Sequence, residues 1–336
     1  MVETLHEKHG LSQDTHPKVM SLSTAVERFV DHGSHISVGG FTVSRNPMAA
    51  VHEIIRQNIK DLHIYTHSNG QAVDELIGAG CATRAEIAYS GNERFAPTGI
   101  CFKRHAMDKT LLVEDYSNFQ MALRFMAGAI GVPFLPTYAS LGTSIIDQWG
   151  FDADFRASDP KISNKKLELT TNPFAPEDAP EKVVLVPAIN PDVTIIHAQA
   201  ADTEGTTRIL GLTYADVDQV KGSKKVIVTC EEILERGALN DEPSQNQIPS
   251  FCVDAVVHAP LGAYPTACYG LYDYDPVFFE KYKSMAANPE EFKVFIQEFV
   301  MDTPDHEKMV KLYCGDRLDA LMADNDKGYS TRMERK

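Results

Sequence analysis

HISVGGFTVSRNP, residues 35 to 47, runs from an apolar, β-branched stretch into two adjacent glycines and closes on a proline. Ile36 and Val38 suit a buried strand, Gly39 and Gly40 permit a sharp turn, and Pro47 suits the first turn of a helix. Met48, Val51, Ile54 and Ile55 then recur at helical spacing. Strand, glycine turn and helix together make one unit of an α/β protein.

Working outward, AVERFVD (25 to 31) reads as a short helix capped by Ser23 or Thr24 and stopped at Gly33. LHIYTH (62 to 67), EIAYS (86 to 90) and LLVED (111 to 115) read as strands. SNFQMALRFMAGAIG (117 to 131) reads as a core helix, apolar on most sides, and PFLPTYAS (133 to 140) as a short extended piece. Residues 151 to 182 are polar and proline-rich, an excursion between two halves. In the second half, KVVLVPAI, DVTIIHAQ, TTRILG, KKVIVTC and VDAVVHAP suit central strands buried on both faces. Helices over 276 to 285, 289 to 300 and 306 to 322 close the chain. The expected architecture is α/β: a doubly wound, largely parallel sheet with flanking helices over residues 18 to 323. Residues 1 to 17 and 324 to 336 are expected to be tails.

Lys and Arg number 32 against 47 Asp and Glu, a net charge of −15, and the lysine pairs Lys165-Lys166 and Lys224-Lys225 are too sparse to track a phosphate backbone. No nucleic acid is expected as partner. The six cysteines form no metal-ligand spacing and are expected to be buried, reduced thiols. His6, His9 and His16 fall at irregular spacing in the N-terminal tail. The first twenty residues lack the apolar stretch of a signal peptide, and no run reaches the ~18 apolar residues of a membrane span. A cytoplasmic protein without membrane contact is the expectation.

Ligands of a parallel sheet bind beyond the C-terminal ends of its strands. The loop at 38 to 47 is therefore the first candidate, since paired glycines allow close approach and their N–H groups can point at an oxyanion. A plain strand-to-helix turn would need the same glycines. The wider string HGSHISVGGFTVSRNP (32 to 47) resembles the first signature of family I coenzyme A transferases, whose architecture is shared with sugar-phosphate isomerases. Arg45 stands where most of that family has glycine, and in this the chain looks like the A subunit of the glutaconate type. The same likeness extends through SLGTSIIDQWG (140 to 150), TTNPFAPED, DVTIIHAQAADTEGTTRI, VTCEEI and CVDAVVHAPLGAYPTACYGLYDYD, roughly residues 18 to 320.

The resemblance implies a chemistry in which a glutamate attacks an acyl-CoA thioester, giving an acyl anhydride and then a glutamyl-CoA thioester. In glutaconate-type enzymes that glutamate lies in a Ser-Glu-Asn-Gly string on the B subunit. No such string occurs here, and Glu93 in SGNER has the wrong order, so it reads as a surface or structural residue. The implied protein is the A subunit of a heteromer, completed by a B subunit in an assembly that grows to higher oligomers. It would move CoA between an acyl-CoA, such as acetyl-CoA, and a short dicarboxylic acid such as glutaconate. CoA thioester enters as substrate, and no metal or permanently bound cofactor is expected.

The substrate-binding candidates are Gly39, Gly40 and Phe41; Arg45; Ser68, Asn69 and Gly70; Asn118; and Gly142, Thr143 and Ser144. Arg45 suits a free carboxylate because a planar guanidinium meets it with two parallel bonds, although a surface ion pair is its plainer use. Asn118 either caps its helix or orients substrate. Aligned from the PFLP landmark, the ring-opening hydrolase branch of the family looks to carry glutamate there. His197 reads as a satisfied core histidine, and Trp149 and the aromatics of YGLYDYDPVFF as packing or interface residues. Glu231 and Glu232, being adjacent on a strand, point apart. Hydrolysis of a cyclic CoA thioester, decarboxylation, or a non-catalytic ligand-binding module are the rival readings on the same fold.

Overall fold

The computed structural model describes residues 17–333. From the N-terminus, α1 (Leu22–Phe29) leads to β1 (His35–Val38), α2 (Met48–Arg56), β2 (Leu62–Asn69), α3 (Gln71–Gly78) and β3 (Ala82–Ser90). Then come α4 (Ile100–Met107), β4 (Leu112–Asp115), α5 (Asn118–Ile130), β5 (Phe134–Thr137), α6 (Ala153–Ser158), β6 (Glu168–Thr171) and β7 (Lys182–Pro187). The second half holds β8 (Val193–Asp202), β9 (Thr207–Arg208), α7 (Asp216–Gly222), β10 (Lys225–Leu234), β11 (Asn246–Ile248) and β12 (Ala255–His258). Helices α8 (Pro276–Ala286), α9 (Pro289–Ile296), α10 (His306–Tyr313) and α11 (Leu318–Leu321) finish it.

Seven strands pair in parallel in the order β12-β10-β8-β1-β2-β3-β4. β9 and β11 add antiparallel at the C-terminal end of β8. Strand order proceeds outward in both directions from the β1–β8 pair, so the sheet is doubly wound, as expected, and its switch point lies between those two strands. Both faces are covered. On β10, Ile227 packs into the larger core with Ile36 and Ile64, while Val226 and Val228 pack into a second core with Ile196 and Val256.

Several sequence expectations are corrected. Ser21, not Ser23 or Thr24, caps α1, accepting a bond from Thr24 N–H, and the helix ends at Phe29 before Gly33. KVVLVPAI is not a central strand: β7 pairs antiparallel between β5 and β6 in a separate three-stranded sheet. Its run of apolar residues satisfies either setting, because run length does not distinguish them. TTRILG supplies only a two-residue strand. The excursion at 151 to 182 carries α6 and β6. The helix expected over 306 to 322 breaks where Gly315 takes φ +54. Residues 324 to 333 fold back: Gly328 O accepts from Gly270 N–H at 2.8 Å, and Ser330 is buried. The tail histidines lie outside the described residues.

Helix α5 is well terminated, with a reciprocal Ser117–Gln120 capping box and Gly131 in the left-handed region. It is not buried all round. Phe119, Met126 and Ile130 are exposed, at 59%, 42% and 61%.

Candidate active-site surface

Three positive-φ residues, Gly40, Thr42 and Arg45, lie within the turn after β1. Gly40 has φ +80, and a Cβ there would come within 2.5 Å of the Arg45 carbonyl oxygen, so no other residue fits without moving the chain. The two glycine N–H groups are already used. Gly39 N–H donates to Ile195 O at 2.9 Å, and Gly40 N–H donates to Asp216 Oδ1 at 2.9 Å. They are therefore not the oxyanion donors that the sequence suggested.

Arg45 is neither a surface ion pair nor an open carboxylate clamp. It is 3% exposed, and its Nη1 donates to Asp216 Oδ2 at 2.5 Å and to His197 O at 2.8 Å, while Nη2 donates to Leu212 O at 3.1 Å. The guanidinium is consumed in tying the turn to α7 and β8.

At the end of β2, Ser68 Oγ donates to Asn118 Oδ1 at 2.6 Å, and Asn69 Nδ2 donates to Gly39 O at 3.0 Å. Thr42 N–H donates to Ser68 O, closing the two strand-end turns on each other. Gly70 is required by crowding, since a Cβ would lie 2.1 Å from Asn92 Oδ1. Phe41 stacks on Tyr214 with ring centroids 4.9 Å apart and meets the His67 ring at 5.6 Å. Asn118 is the first residue of α5, and its neighbour Ser117 performs the capping. The structure thus gathers Gly39, Gly40, Phe41, Ser68, Asn69, Gly70 and Asn118 around one point beyond the carboxyl ends of β1 and β2. Gly142, Thr143 and Ser144 are exposed, and the hydrogen bonds of Thr143 and Ser144 stay within their own loop. Lys166 Nζ fastens that loop to the end of β4, reaching Ile145 O, Gln148 O and Asp115.

Asp216, His67, Tyr214 and Asn92 belong to the same surroundings and were missed. Asp216 sits in TYADVDQV, where a carboxylate in a helix's first turn looks ordinary. Nothing local marks it as the partner of an arginine 171 residues away.

A family profile for coenzyme A transferase matches residues 19–259. The chain belongs to the coenzyme A transferase family. It is 40% identical over 316 residues to the A subunit of glutaconate CoA-transferase from Acidaminococcus fermentans, covering 94% of this chain and 98% of that one. It is 32% identical to the A subunit of 3-oxoadipate CoA-transferase from Pseudomonas knackmussii, covering 86% and 95% of the two chains. The crystal structure of the Acidaminococcus glutaconate CoA-transferase superposes with a TM-score of 0.89 over 93% of this chain and 98% of that chain. Coenzyme A transferases act on CoA thioesters, and this chain is an enzyme subunit of that kind.

In this transferase chain Glu93, exposed and at φ +49, accepts a hydrogen bond from Thr42 Oγ1 at 2.6 Å. His197 is the satisfied core histidine expected: Nδ1 meets Thr229 Oγ1 at 2.9 Å and Nε2 meets Glu231 Oε1 at 2.8 Å. His197, Glu231 and Cys268 bring potential ligand atoms within 4.8 Å of one another. The 2.8 Å His–Glu contact is shorter than the ~3.3 Å separation of two ligands around a tetrahedral zinc, so these groups fit a hydrogen-bonded cluster better than a metal centre. All six cysteines are free, five of them buried. No helix among the described residues is long and apolar enough to cross a membrane.

A buried polar chain runs beneath the site. Asn92 Nδ2 donates to Gln71 Oε1, Gln71 Nε2 to Glu75 Oε1, and Glu75 Oε2 meets His52 Nε2 at 3.0 Å. His52 Nδ1 meets His306 Nδ1 at 3.1 Å, and His306 Nε2 meets Leu261 O at 2.9 Å. Because a carbonyl only accepts, His306 must carry its proton on Nε2, His52 on Nδ1, and Glu75 must donate to His52 Nε2. Burial enforces that assignment, pushing Glu75 up to about 8 and His52 down to about 3.

Proposed function

We propose that this chain is the A subunit of a heteromeric transferase that moves CoA between an acyl-CoA, such as acetyl-CoA, and a short dicarboxylic acid such as glutaconate. The catalytic glutamate would lie on a partner B subunit. The observation that carries this reading is the near end-to-end likeness to the A subunit of an enzyme with that activity. Among the carboxylates beside the turn, Asp216 is spent on Arg45 and Gly40, and Glu93 is held by Thr42.

In this reading the partner's carboxylate attacks the thioester carbonyl, CoA leaves as thiolate, and that thiolate attacks the glutamyl carbonyl of the resulting acyl anhydride, giving glutamyl-CoA and releasing the donor's acyl group as a carboxylate. The acceptor acid then reverses the sequence. This chain supplies the wall. The first N–H groups of α5, which have no intrahelical acceptor, favour negative charge beside Asn118. The exposed apolar residues of α5 extend from Asn118, and Phe134, Tyr138 and Phe174 on and beside the small sheet add to them. A face of that kind supports a docking partner. Soluble, cytoplasmic assembly into higher oligomers accords with it.

The test is reconstitution. The purified chain alone should lack transfer activity, and adding the partner should restore it. Borohydride reduction in the presence of acyl-CoA should modify a glutamate of the partner and none in this chain. Full-occupancy modification of Glu93 would remove the assignment.

A further inference from the structure

β2 is buried along its whole length except at His67, which is half-buried. Its neighbours are committed, Ser68 to Asn118 and Asn69 to Gly39. The His67 ring stands beside Phe41, and its Nδ1 is buried with no hydrogen-bond partner. Burial lowers the ring's pKa, and an interaction with the Asn118 main chain opposes this in part.

A dicarboxylic acid needs a cationic or donor group for the carboxylate that does not react. Arg45 cannot serve, being sealed against Asp216. A neutral His67 carries one N–H, whereas the imidazolium donates from both ring nitrogens, so its unpartnered Nδ1 can serve a carboxylate whichever nitrogen holds the proton in the free enzyme. Resting on the transferase reading above, we infer that His67 recognises the second carboxylate of the acid, taking up one proton from solvent as the dicarboxylate binds and donating Nδ1–H to it. Phe41, the ring beside His67, is itself half-buried.

The charged groups of the neighbouring elements are already engaged. Arg45 of the β1 turn pairs with Asp216 of α7, Glu93 beyond β3 holds Thr42, and Asp115 of β4 pairs with Lys166. The first turn of α5 carries no acidic residue, and Tyr89 and Tyr214 contribute phenols. No carboxylate among these neighbours therefore stands where the substrate's would.

The reconstituted enzyme would be assayed with acetyl-CoA as donor and glutaconate or butyrate as acceptor, from about pH 6 to about pH 9. Above the ring's titration, kcat/KM for glutaconate should fall about tenfold per pH unit, expressed in KM, while butyrate shows no such slope. His67→Gln should abolish the slope and lower kcat/KM for glutaconate near pH 7 by about tenfold or more, leaving butyrate within about twofold. Calorimetry in buffers of different ionisation heat should count one proton per glutaconate bound by wild type and none by the variant. A slope that survives in His67→Gln, or an equal loss for butyrate, would overturn the inference while leaving the transferase reading intact. Absence of transfer to either acid by wild type would remove both.

Discussion

Arg45 Nη1 lies 2.5 Å from Asp216 Oδ2, and the other oxygen of the same carboxylate receives Gly40 N–H at 2.9 Å. One buried ion pair therefore sets the shape of the glycine turn, and the guanidinium is engaged within the protein.

Removing one partner would leave an uncompensated buried charge, which costs about 3–5 kcal/mol. Arg45→Ala and Asp216→Asn should each lower the urea midpoint accordingly. In the assembled enzyme, any activity loss should be equal for glutaconate and butyrate, because the turn carries both. A loss confined to glutaconate would restore Arg45 as a substrate contact.

The Glu75–His52–His306 chain gives stability a pH dependence whose sign follows from its protons. Between 4.5 and 6.5, the ordinary values of the two groups, the unfolded chain holds the His52 proton and the folded chain the Glu75 proton. The pair then contributes no slope. Above 6.5 the unfolded chain has lost both protons, while folded Glu75 keeps its own until about 8, so the fold loses about 1.4 kcal/mol per pH unit across that window. His306, held neutral by burial, adds a loss as pH falls below 6.5. Glu75→Gln still donates to His52 but cannot ionise. Urea midpoints should fall from pH 6.5 to pH 8 in wild type and lose this component in the variant; parallel pH profiles would show that Glu75 is not the source.

The strand-turn-helix unit around Gly39 and Gly40 was legible because every signal in it is local: β-branched residues, a glycine pair, a proline, then a helical period. The extent of α5 was legible in the same way, although its cap is Ser117 and not Asn118. What was not legible depends on partners distant in the chain. Arg45 looked available because Asp216 lies 171 residues away, and β7 looked central because an apolar run does not reveal its neighbours. His67 was passed over as one more residue of an apolar strand, although it is the point at which β2 ceases to be buried.

The exposed stripe on α5 predicts a separable assembly defect. Met126→Asp combined with Ile130→Asp should change the stability of the isolated chain by less than about 0.5 kcal/mol per site, as surface substitutions usually do. Charges placed in a desolvated contact should weaken association with the partner at least about tenfold by sedimentation or size exclusion. Normal assembly would place the partner on another face.

Asn118 offers the sharpest test of transfer against hydrolysis. Its Oδ1 accepts from Ser68 Oγ at 2.6 Å, which leaves Nδ2 as a donor at the head of α5. An amide can orient an acyl group but cannot take a proton from water at neutral pH, whereas a carboxylate can, and a helix N-terminus keeps that carboxylate ionised. Asn118→Glu should therefore lower transfer to glutaconate and raise thiol release from acetyl-CoA in the absence of any acceptor acid. Asn118→Gln keeps the amide and should show no gain of release, which separates the effect of the base from that of altered shape. Wild type should release little thiol at steady state without an acceptor. Rapid acceptor-independent release by the wild-type enzyme, with no CoA passing to acetate when glutaconyl-CoA is the donor, would make this chain part of a hydrolase instead.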